Sequence, residues 1–203
     1  MTQFGMPYGI MNKSKNDRKK KLKQILNFSK KKNIKALYTS KYYGNSNKLL
    51  GFENLNHFKI FTKFKSEDLL NKNFILELNE VKNILKKDTL ILMLDGFEKL
   101  SPKKALKIYD ILLYLKKNKK IDRFGYSIYL FKDLKKICKN FKPDILQCPY
   151  SIIDRRLEKK SLLKHLKFNK IEVHARSILL QGLLIADPLK LPKKFLKWKK
   201  IFQ

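Results

Sequence analysis

The chain has 203 residues, 43% of them hydrophobic, and a formal charge of +31 at pH 7. That length suits one domain with its own core over residues 1–203, and its two cysteines, Cys138 and Cys148, are too few for a disulfide framework and lack the paired spacing of a zinc site. The charge invites a polyanion, but only five of the 48 basic residues are arginine and the lysines are spread over nearly every polar stretch, so a lysine-coated solvent face with no specific nucleic-acid partner is expected.

The first ten residues, MTQFGMPYGI, lack the basic and then long apolar order of a secretory signal. The apolar block at 2–6 predicts a first strand, and Asp17 is placed to cap the long lysine-rich helix that follows. Further strands are predicted at 34–40 and 58–64. The turn Gly44-Asn45-Ser46 between them is not a glycine-rich dinucleotide fingerprint. The block at 89–95 contains the clearest continuous apolar run, Leu90 to Leu94. Ser101-Pro102 then supplies an N-cap with proline at the first helical position, and Leu106, Tyr109, Leu112, Leu113 and Leu115 follow at helical spacing. Blocks at 123–129, 144–150 and 171–178 complete the strands, before Asp187-Pro188, Leu191-Pro192 and a helical tail, KKFLKWKKIF, at 193–202. No apolar run nears the roughly 20 residues of a membrane span. A cytoplasmic protein with free thiols is expected.

Continuous rather than alternating apolar runs suit strands buried on both faces of a parallel sheet. Their strict alternation with amphipathic helices is an α/β pattern, and the missing phosphate loop favours a TIM-type (β/α)8 barrel over a doubly wound sheet. Seven strands are predicted, so the barrel is incomplete, with the last βα unit missing. Its two unpaired edges invite a homodimer across the gap.

Two predicted strand ends carry Tyr43-Gly44 and Thr62-Lys63. A tyrosine and a lysine at neighbouring strand mouths can share one proton, the core of a carbonyl-reducing site. Four stretches carry a wider likeness: QFGMPYGI at 3–10, LYTSKYYGNSNKLLG at 37–51, FKIFTKF at 58–64, and the run from GYSIY at 125–129 through ILQCPYSIIDRR at 145–156 to VHARSILLQGLL at 173–184. Together they resemble the aldo/keto reductase family, NADP-dependent barrels that reduce carbonyls to alcohols. The resemblance implies that Tyr43 is the proton donor and Lys63 its partner, the ammonium easing loss of the phenolic proton.

The family's other two tetrad positions have changed. Tyr38 stands where the family has aspartate, and Asp95 where it has histidine. Asp95 is therefore a candidate to pair with Lys63. The resemblance further implies NADP(H) as cofactor, with Ser127 and Gln147 at the nicotinamide carboxamide and Arg176 and Ser177 at the seventh-strand end. It also implies reduced affinity, because the eighth-strand region that holds the adenosine phosphate is absent. A small carbonyl compound, in one branch a keto-sugar for cell-surface polysaccharide, is the implied substrate. A non-catalytic relative that keeps the scaffold is the alternative. His57, His165 and His174 are scattered without metal-ligand spacing.

Overall fold

The computed structural model describes residues 2–9, 18–187, 191 and 195. Asp17 and the 193–202 tail other than Phe195 lie outside them. The first element is not a strand. Residues 2–6 give a four-residue helix, α1 (Thr2–Gly5), which buries Phe4, while the Gly5 carbonyl accepts a hydrogen bond from Asn45 N. A block so short has no period that separates helix from strand, and here its backbone serves a neighbouring loop instead of a ladder.

The other six predicted strands all form. After α2 (Arg18–Lys31) come β1 (Ala36–Ser40), α3 (Ser46–Gly51), β2 (Lys59–Lys65), α4 (Phe74–Leu85), β3 (Ile91–Asp95), α5 (Pro102–Lys117), β4 (Phe124–Ser127), α6 (Leu134–Asn140), β5 (Ile145–Pro149), α7 (Leu162–Phe168) and β6 (Glu172–Arg176). Short 3-10 turns join several of them. Each strand pairs in parallel with the next, in the order β1-β2-β3-β4-β5-β6. That singly wound order is the sheet of an incomplete (β/α)8 barrel.

Alternation along the strands divides two cores. The large one packs the outer sheet face under the helices and includes Phe64, Leu92, Leu94, Tyr126 and Leu146. A smaller inner one holds Phe61, Ile91, Met93 and Ile145 with Tyr38 against them. α5 supplies Ala105, Ile108, Leu112 and Leu115 to the outer core. Leu106 and Leu113, predicted on that stripe, sit beside it and are 55% and 43% exposed. Ser101 caps the helix as predicted, accepting from Lys104 N with Pro102 next in line. On the inner face Tyr38 of β1 touches His174 of β6. The sheet is thus curled enough for its two edge strands to meet through side chains.

Candidate active site

The C-terminal strand ends of a barrel sheet open onto one mouth, and the predicted site residues gather there. Tyr43 follows β1 in a turn that Gly44 closes at φ 53°. A Cβ on Gly5 would lie 1.6 Å from the Tyr43 carbonyl oxygen, so α1 seats directly on this turn. Lys63 lies in β2, Asp95 ends β3, Ser127 ends β4, Gln147 lies in β5 and Arg176 ends β6. Tyr43, Lys63, Gln147, Arg176 and Ser177 line one cleft of about 970 Å³, together with Tyr38 and three residues the sequence reading did not single out, Gln3, Tyr8 and Tyr129.

Lys63 Nζ donates to Ser127 Oγ at 3.0 Å and to Gln147 Oε1 at 2.9 Å. Register explains the pair, because Ser127 lies beside Gln147 and both face inward with Lys63. Ser127 is fully buried and reaches the cleft only through Lys63. Burial pushes the Lys63 ammonium down to about 8; the negative Asp95 opposes the shift and the positive Arg176 adds to it.

The structure corrects two expectations. Asp95 acts on Lys63 through charge but forms no ion pair with it among the described residues, and its buried Oδ1 has no hydrogen-bond partner. The Tyr43 phenol is not eased toward ionisation. Burial raises it, the hydrogen bond with Thr2 works against that rise, and Tyr129, Tyr8 and Asp95 add to it. The physical cause is that the Lys63 amine points to Ser127 and Gln147, so no ammonium offsets the desolvation.

Tyr38 makes a connection of its own. Its hydroxyl meets His174 Nδ1, and His174 Nε2 meets the Glu172 carboxylate. Glu172 in turn accepts from Arg123 at 2.6 Å. The His174 ring thus bridges the Tyr38 phenol at Nδ1 and the carboxylate at Nε2. The Tyr38 phenol is held neutral, raised by burial first and by Glu172 second. This line was missed in the sequence, yet a signal existed: His174 stands two residues before Arg176 on one strand and must share its face.

Arg176 stacks its guanidinium 3.5 Å above the Tyr129 ring centroid and donates to the Ile128 carbonyl at 2.9 Å, while its buried Nε has no partner. Ser177 at φ 59°, and Gln181 and Gly182 at 59° and 92°, carry the chain along the same cleft. Arg176 and Gln147 both line this tyrosine-walled cleft, and a guanidinium with a side-chain amide fits an amide or phosphate acceptor such as a nicotinamide cofactor presents. Among the described residues no group of His, Cys, Asp or Glu is gathered as for a metal, and no helix is long and apolar enough to cross a membrane.

A family model described as the aldo/keto reductase family matches residues 5–198. Solved structures share the fold at low identity. A Pseudomonas aeruginosa protein classed as an aldo-keto reductase is 15% identical at a TM-score of 0.69, covering 90% of this chain and 73% of its own. The holo form of a Bacillus halodurans aldo-keto reductase is 18% identical at 0.65, covering 89% and 62%. A Bombyx mori aldo-keto reductase in complex with NADP is 14% identical at 0.63, covering 83% and 60%. The chain therefore spans less than two thirds of the last two. No curated protein sequence matches it.

Proposed function

The chain belongs to the aldo/keto reductase family, and from that premise we propose that it is an oxidoreductase that reduces the carbonyl of a small molecule to an alcohol in the cytoplasm, with NADPH as hydride source. The observation that carries this reading is that Tyr43 and Lys63 line the same cleft at neighbouring strand mouths. Tyr43 donates the proton to the carbonyl oxygen as negative charge develops there. Ser127 and Gln147 hold Lys63 in the cleft, Gln147, Arg176 and Ser177 would hold the cofactor, and a bound nicotinamide would supply the hydride. Asp95 keeps part of the Lys63 population charged.

Turnover is slow in this reading. The raised Tyr43 phenol makes a weaker acid, and the negative Asp95 stands close to where alkoxide charge would develop. A polar substrate of keto-sugar size suits the open, tyrosine-lined cleft. The same departures, Tyr38 and Asp95, favour a second reading in which the chain binds ligands without turnover.

Melting the protein with and without saturating NADPH tests the cofactor part directly. At 100 times its dissociation constant a ligand adds about 2.7 kcal/mol, which raises the melting temperature of a chain this size by roughly 5–10 °C. A shift of that order is expected. A cooperative melt with no shift would rule out an NADPH-dependent reductase.

A further inference from the structure

Lys63 occupies the cleft without a carboxylate in contact. Both oxygens that accept from its Nζ, Ser127 Oγ and Gln147 Oε1, are neutral. The carboxylate on β6, Glu172, is exposed and taken by Arg123 and His174, and His174 also engages Tyr38. The charged groups that act on Lys63 from other strands are Asp95 on β3 and Arg176 on β6, in opposite senses. A desolvated lysine of this kind gives up its proton near neutral pH, and the free amine is a nucleophile toward carbonyl carbon.

We propose that Lys63 captures aldehydes and ketones in the cleft as an imine, an activity distinct from hydride transfer and independent of any nicotinamide. The Nζ lone pair attacks the carbonyl carbon while the C=O π pair moves to oxygen. The carbinolamine then loses that oxygen as water, together with both amine hydrogens, and a C=N bond remains. Nothing is oxidised or reduced. The phenol of Tyr43, kept protonated by burial, lines the same cleft and serves to deliver the proton to the leaving oxygen and recover it from nitrogen, while that of Tyr38 is engaged by His174. A cleft of about 970 Å³ has room for a sugar-sized or small aromatic carbonyl beside the amine.

The test is reductive trapping with benzaldehyde and cyanoborohydride, without nicotinamide, followed by peptide mass mapping. Because the Lys63 ammonium is down to about 8 against an ordinary 10.5, its neutral fraction near that pH exceeds a surface lysine's by roughly a hundredfold. Early labelling should therefore fall on Lys63, at a rate that climbs through that same pH. Lys63→Arg should remove the fast adduct and leave the slow surface labelling. Since arginine in a buried site could disturb folding, the map of the unaltered chain decides alone: labelling of Lys63 no faster than of exposed Lys48 and Lys107 would overturn the proposal. A reductase without this adduct, or the adduct without NADPH binding, separates this inference from the proposed function.

Discussion

At the scale of single residues, the neutral partners of Lys63, Ser127 and Gln147, govern the site. With no acid in contact with it, Lys63 gives up its proton more readily than an exposed lysine, and that has a pH signature. Folded Lys63 releases its proton near 8, well below the 10.5 of an exposed lysine. Between those values the unfolded chain binds more protons than the folded one, so stability rises with pH. From about pH 7 to about pH 9.5 the Lys63 contribution grows by about 2 kcal/mol. Urea denaturation at both pH values should show that rise in the native sequence and lose it in Lys63→Met; identical pH slopes would mean that the amine is not desolvated. Much of the cleft was legible beforehand, because Tyr43, Lys63, Gln147 and Arg176 stand at strand ends and strand ends share a mouth. What was not legible is which neighbour each side chain chooses. Lys63 reaching across to Ser127 and Gln147, and Tyr38 reaching His174, depend on the curl of the sheet, and no local pattern encodes it.

At the scale of elements, continuous apolar runs located six strands because a buried parallel strand has few polar positions. The same rule misread residues 2–6. A block of five residues has no period, and the decisive information was a distant one, the fit of Gly5 against the Tyr43 turn. Gly5→Ala forces its Cβ against the Tyr43 carbonyl oxygen, so α1 must lift and Tyr43 must move with its turn. A loss of about 2 kcal/mol in urea denaturation is expected, together with loss of carbonyl reduction. Native stability in that variant would show that α1 does not seat on the turn. α5 illustrates the opposite case: its cap is local chemistry, Ser101 and Pro102, and it was readable from two letters.

At the scale of the whole molecule, the sequential strand order and the meeting of β1 with β6 make a curled sheet whose inner face is small and largely apolar below and polar at the mouth. The fold class was legible because alternation of strand and helix survives heavy lysine substitution: among the described residues most lysines lie on solvent faces and leave the core pattern intact. Function at this scale rests on whether the mouth performs proton donation. The most direct measurement is NADPH oxidation in the presence of aldehydes and keto-sugars, for the native sequence beside Tyr43→Phe. Slow turnover that falls at least about a hundredfold in the variant, with the NADPH melting shift retained, is the expected result. Equal turnover in the two proteins would contradict Tyr43 as the proton donor and with it the proposed mechanism.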